Sequence, residues 1–159
     1  MLLFRKLIFG ILFLISACGF SPVYTNQNSA NLTGKISIQE PNTQNDFVFY
    51  SRLTDRFGEA SGKYILNYAI TTTKEDKAIN FDGTVHRIEI SGSVTFNLKH
   101  TASGRQIFSD KEEMYLSYSN FGSTAAVLNA ERTTNKQLVV LLADKVADRI
   151  SLILIDQDS

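Results

Sequence analysis

Apolar side chains recur along this chain with two different periods, and the switches between them divide it into elements. Lys35-Ile36-Ser37-Ile38-Gln39 alternates polar and apolar, as a short half-buried strand does, and Pro41 ends it. Asn42-Thr43-Gln44-Asn45-Asp46 then offers several helix N-caps. Phe47, Tyr50, Leu53, Thr54 and Phe57 follow at helical spacing, so the expected first helix presents that aromatic stripe to the core and stops at Gly58. From Tyr64 to Thr71 the period becomes two, with Tyr64, Leu66, Tyr68 and Ile70 on one face. Lys74 to Gly83 reads as a polar connection ending in the turn signal Asp82-Gly83.

The cleanest alternation runs from Ile88 to Lys99. Ile88, Ile90, Gly92, Val94, Phe96 and Leu98 share one face, and Glu89, Ser91, Ser93, Thr95, Asn97 and Lys99 the other, the pattern of an antiparallel sheet covered on one side. Thr101-Ala102-Ser103-Gly104 is a hairpin loop. A return strand from about Gln106 to Tyr118 carries Asp110-Lys111-Glu112-Glu113, charge that suits an exposed or edge position. Ser123 or Thr124 can cap a last, long helix whose stripe is Leu138, Leu142, Val146, Ile150 and Ile153, with Thr133-Thr134-Asn135 as a place where it loosens or bends. The predicted order is β-α-β-β-β-α. This is an α+β two-layer sandwich: a four-stranded, mostly antiparallel mixed sheet with two helices on one face, the first strand joining by a crossover.

The first residues follow neither period. Arg5-Lys6 precedes an apolar run from Leu7 to about Ile15, and then Ser16-Ala17-Cys18. The run is short of the roughly 20 residues that a spanning helix needs, and it suits a secretion signal. Small residues at 16 and 17 suit a signal-peptidase site, and Cys18 stands where a thiol accepts a diacylglyceryl group. We therefore expect a lipoprotein signal over 1–17, a lipidated N-terminus and tether over 18–33, and a single α+β domain over 34–159. Two or more acyl chains anchor stably where one is marginal. Gly19, where lipoproteins held in the inner membrane commonly carry Asp, favours the outer membrane. The stretch from Gly19 to about Leu32 is polar and Asn-rich, with Phe20, Val23 and Tyr24 apolar enough to dock on the domain or at lipid headgroups.

Composition narrows the chemistry. The chain has 159 residues with 16 basic and 16 acidic side chains; without Arg5 and Lys6, 14 basic residues face 16 acidic ones, a balance that argues against nucleic-acid binding. Cys18 is the single cysteine, so no intramolecular disulfide can form and stability must come from packing. Nucleophilic catalysis needs a base beside the nucleophile, yet the two histidines, His86 and His100, fall at opposite ends of one expected strand. Glu112 and Glu113 are adjacent in a strand and point to opposite faces. No zinc-type spacing and no Gly-rich phosphate loop occurs. The expectation is no enzyme, no metal and no cofactor beyond the diacylglyceryl and N-acyl lipid on Cys18.

Cys18-Gly19-Phe20-Ser21-Pro22-Val23-Tyr24 resembles the start of mature LPS-assembly lipoproteins, the LptE family of Gram-negative bacteria. Arg52-Leu53 to Arg56-Phe57-Gly58, Tyr115 to Tyr118, Ala130-Glu131-Arg132 and Ala143-Asp144 to Arg149-Ile150 are similar to that family's helix ends and last strand. The resemblance implies a periplasm-facing outer-membrane lipoprotein that plugs a large β-barrel, LptD, and serves lipopolysaccharide transport to the outer leaflet. A polar, almost uncharged face of Ser91, Ser93, Thr95 and Asn97 suits the wet interior of a barrel, and it suits plain solvent exposure as well. Lys99, His100 and Arg105 around the hairpin, with His86 and Arg87 at the far end of the strand, are the candidates for lipid-phosphate contact. The alternative is a lipoprotein chaperone or pilot for another outer-membrane complex, such as a secretin.

Overall fold

The computed structural model describes residues 33–59, 62–79 and 85–157. The expected leader over 1–17, Cys18, the expected tether except Thr33, and the expected turn at Asp82-Gly83 lie outside the described residues. Six elements follow in order: β1 (Ile36–Ile38), α1 (Gln44–Phe57), β2 (Tyr64–Ile79), β3 (Val85–His100), β4 (Gln106–Ser119) and α2 (Thr124–Gln157). The sheet order is β1-β2-β3-β4, with β1 parallel to β2 and the other pairs antiparallel. The α+β architecture and its mixed sheet are those expected from the two periods.

Helix α1 starts on a reciprocal cap. The Asp46 amide donates to Thr43 Oγ1 at 3.1 Å, and the Thr43 amide donates to the Asp46 carboxylate at 2.9 Å. At the other end Gly58, with φ 75°, donates its amide to the Thr54 carbonyl at 2.7 Å. The buried row of α1 is Phe49, Leu53 and Phe57, whereas Phe47 is 66% exposed. The expected stripe was therefore wrong at its first position. Residues 49, 53 and 57 recur every four and fall on one side, and Phe47 lies well round the helix from Phe49.

Strand β2 continues through the stretch expected to be a polar connection. Lys74, Glu75 and Asp76 pair in register with Ile90, Glu89 and Ile88. Cross-strand pairing overrides the poor strand propensity of this segment. Directly opposed Glu75 and Glu89 would repel, but Lys77 lies 2.8 Å from one carboxylate and 3.2 Å from the other.

Helix α2 is unbroken from Thr124 to Gln157, so the expected loosening at Thr133-Thr134-Asn135 does not occur. Asn135 instead ties the two helices, donating its side-chain amide to Asn45 Oδ1 at 2.8 Å. The buried row is Leu138, Leu142, Val146, Ile150 and Leu154, again every fourth residue, with Leu154 taking the place expected for Ile153. Asn45 meets Asn135, Arg52 meets Asp144 at 2.9 Å, and Arg56 meets Asp148. These contacts advance together along both chains, so the helices run parallel.

Between helices and sheet lies the core, with Leu66, Val94, Phe96 and Leu98 from the strands fully enclosed against Phe49, Leu53, Leu138 and Leu142. Phe49 stacks at a tilt on Tyr68, 4.7 Å between ring centres. Burial, with Asp46 and Tyr50 adding to it, pushes the Tyr68 hydroxyl up to about 12. Gly92 lets α2 approach: a Cβ there would stand 2.9 Å from Leu138 Cδ2 and 3.0 Å from Leu142 Cδ1. The charged centre of β4 does lie on an edge strand. Asp110 and Glu112 nonetheless turn toward the helix layer, where Arg149 reaches Asp110 at 3.1 Å and Lys145 reaches Glu112 at 3.3 Å.

Candidate functional site

With both helices packed on one side, the other face of the sheet is left uncovered among the described residues. Antiparallel register stacks its side chains in rows. Thr73, Ser91 and Tyr115 form one row, Thr71, Ser93 and Glu113 the next, then Ala69, Thr95 and Lys111, and finally Asn67, Asn97 and Ser109. The four β3 residues expected on a polar face thus occupy the centre of a broad hydroxyl- and amide-rich surface. Asn67 Nδ2 donates to Asn97 Oδ1 at 3.2 Å, and Ser109 Oγ donates to the Phe96 carbonyl at 3.2 Å.

Charge on this face is confined to its margins. Lys111 and Glu113 form an ion pair along β4, which lowers the Glu113 carboxyl below its usual range. Around Ser91 and Ser93 lies a shallow open depression of about 550 Å³, lined also by Thr71, Thr73, Gly92, Met114, Tyr115 and the ions Glu113 and Lys145. Tyr115 is 70% exposed, the one large aromatic side chain of these rows. Short hydroxyls on a flat strand surface donate and accept hydrogen bonds with little loss of rotamer freedom. Such a surface can meet a polar, hydrated partner without burying an ion.

The basic residues singled out in the sequence separate into two groups. Lys99, His100 and Arg105 come together at the hairpin: Lys99 pairs with Gln106, and the His100 amide donates to the Arg105 carbonyl at 2.9 Å. Arg87 does not join them. It lies opposite Ser119 at the far end of β3, twelve residues away, about 40 Å at strand rise. His86 is beside it, its ring 6.3 Å from that of Phe121. The hairpin group gains two members that periodicity did not single out. Lys35 precedes β1 and its carbonyl accepts from the Tyr64 amide at 3.0 Å; Lys63 precedes β2, with Nζ 5.3 Å from the centre of the Tyr64 ring. The His100 ring meets Tyr64 edge-on at 5.9 Å, and its buried Nδ1 makes no hydrogen bond.

A second polar cluster lies under α2. Glu131 accepts from Lys74 Nζ at 2.9 Å and from the Tyr118 hydroxyl at 3.0 Å, joining β2, β4 and the helix. The hydrogen bond from Lys74 holds the Glu131 carboxyl below its usual range, and burial raises the Tyr118 hydroxyl. Its donors and acceptor satisfy one another, so its role is to fasten the helix to the sheet.

No protein-family model matches the chain, and no curated protein sequence matches it. Solved structures do. A candidate lipoprotein of Caulobacter crescentus superposes with TM-score 0.66 at 15% identity, covering 82% of this chain and 96% of that one. Rare lipoprotein B of Shewanella oneidensis gives TM-score 0.62 at 14% identity over 79% of this chain and 98% of its own. A minor lipoprotein of Acinetobacter baumannii gives 0.57 at 17% identity, over 75% and 91%. At these identities the likeness concerns the fold, and this chain shares its α+β sandwich with those three proteins.

Proposed function

We propose that this chain is an outer-membrane lipoprotein, acylated on Cys18, that assembles with and plugs a large LptD-like β-barrel to serve lipopolysaccharide transport to the outer leaflet. The observation that carries this reading is the uncovered sheet face, uncharged over Asn67 to Thr73 of β2 and Ser91 to Asn97 of β3, with the ions Lys111 and Glu113 on the edge strand β4. A barrel lumen is polar and wet, and a face that hydrogen-bonds without presenting buried ions fits it. Ser91, Ser93, Thr95 and Asn97 are the barrel-facing residues in this reading. The lipoprotein signal in the sequence supports it, as does the shared fold of proteins named as lipoproteins. Lys99, His100 and Arg105 would meet lipopolysaccharide phosphates, and Arg87, at the far end of β3, is set apart from that group.

Affinity purification of the lipidated protein through its C-terminus tests the proposal. An LptD-type barrel recovered in comparable amount supports it, whereas a secretin ring in its place supports the pilot alternative. Depletion in the host should lower surface lipopolysaccharide. Lys99→Glu combined with Arg105→Glu should weaken lipopolysaccharide binding, and unchanged affinity removes the phosphate contact.

A further inference from the structure

Each of the four strands carries a basic residue at one and the same end of the sheet. Lys35 precedes β1, Lys63 precedes β2, Lys99 is the last residue but one of β3 and Arg105 precedes β4. The backbone bonds from Tyr64 to Lys35, from Thr101 to Lys63 and from His100 to Arg105 place these ends side by side. At about 4.8 Å between strands, the row spans about 14 Å. Glu59, directly after the cap residue Gly58, is an acidic residue at this end.

The chain toward Cys18 leaves from this end. Gly34 donates its amide to the Phe57 carbonyl at 2.9 Å, beside the start of β1, and fourteen residues, 19–32, separate Cys18 from Thr33. Fourteen residues reach at most about 50 Å. Helix α2 ends here too: Arg149 reaches Asp110 and lies 5.8 Å from the Phe108 ring, so later turns project past the first residues of β4. On those turns Leu152 is 64% exposed and Ile155 38% exposed. Cations beside exposed apolar side chains are what a surface resting on anionic headgroups carries.

We propose that this strand-end row, Lys35, Lys63, Lys99 and Arg105 with Leu152 beside it, rests on the anionic phospholipid surface of the leaflet that holds the anchor. The inference rests on the lipid anchor of the reading above and concerns the body before it meets the barrel, when Lys99 and Arg105 face phospholipid headgroups rather than lipopolysaccharide phosphates. Contact here stands the strands toward the bilayer normal and leaves the open face pointing sideways, along the membrane plane. The tether is then a short leash to a docked body.

The test uses the mature chain from residue 18 with Cys18→Ser, so that no acyl chain contributes. Binding to vesicles of phosphatidylethanolamine and phosphatidylglycerol should exceed binding to phosphatidylcholine vesicles and fall with added salt. Each cation removed should weaken it about fivefold, so Lys35→Gln with Lys63→Gln costs about 25-fold. Arg87→Gln, at the opposite end, should leave it unchanged, and circular dichroism checks that every variant is folded. Equal binding to both vesicle types, or an equal loss in Arg87→Gln, overturns the proposal. The mass of the native N-terminal peptide reports separately on acylation of Cys18. A bare cysteine with intact vesicle preference sinks the anchor and keeps the surface, and the converse result keeps the anchor and sinks the surface.

Discussion

Two glycines stand where neighbouring elements approach most tightly, and they differ in what would have to move. At Gly92 an added Cβ meets the methyl ends of Leu138 and Leu142, which can shift. Gly92→Ala should therefore cost about 1 kcal/mol or less, and Gly92→Val about 1–3 kcal/mol, read by urea unfolding. At Gly62 the added Cβ would stand 2.1 Å from the carbonyl oxygen of Lys35. Backbone cannot yield in that way, so Gly62→Ala should push β1 off β2 and cost about 3 kcal/mol, more than the same change at Gly92. Gly92 was legible in the sequence as a gap in an apolar face. Gly62 was not, because its neighbour comes from a strand 27 residues earlier.

At the scale of elements, α2 is held by packing along its middle and by ion pairs along its flanks. Leu138→Ala empties a fully enclosed site between Gly92 and the helix and should cost about 2–5 kcal/mol in the same unfolding measurement. The flanking pairs are partly exposed and worth little singly, yet they give the fold an acid limb. Glu131 has a lowered folded-state value relative to 4.5, so its contribution is present above that value and is lost as pH falls below it. Glu131→Gln should lower the thermal midpoint at neutral pH and leave it nearly unchanged in acid, so that the decline below about pH 4.5 flattens. Periodicity made β3, the hairpin and both helices readable, because alternation and four-residue recurrence are local properties. It misplaced the α1 stripe at Phe47, since two aromatics two residues apart each fit a helical row and only the sheet decides between them. It missed the outer half of β2, where Lys74 to Lys77 become strand only because β3 and its Glu89 lie alongside.

For the whole molecule, the decisive property is that helices cover one side of the sheet, while no described element covers the other. Replacing Ser93 and Thr95 by Arg should leave the thermal midpoint within a few degrees of the parent. It should lower barrel recovery by about tenfold or more, because two ions would have to be desolvated at the contact. The polarity of that face was legible from alternation alone. The basic strand-end row was not, because Lys35 and Lys63 become neighbours only through the parallel crossover of β1. That crossover has a further effect. β1 spans three residues, so beyond Tyr68, whose amide reaches Gln39 Oε1 at 3.4 Å, the outer flank of β2 has no described strand beside it. Amides along that flank bind water when the protein is alone, and they would bind an extended peptide as readily. Concentrated stocks should therefore thicken on storage through sideways joining of sheets, and the lysines and acids near the tip of β2 should slow that process in low salt more than in high.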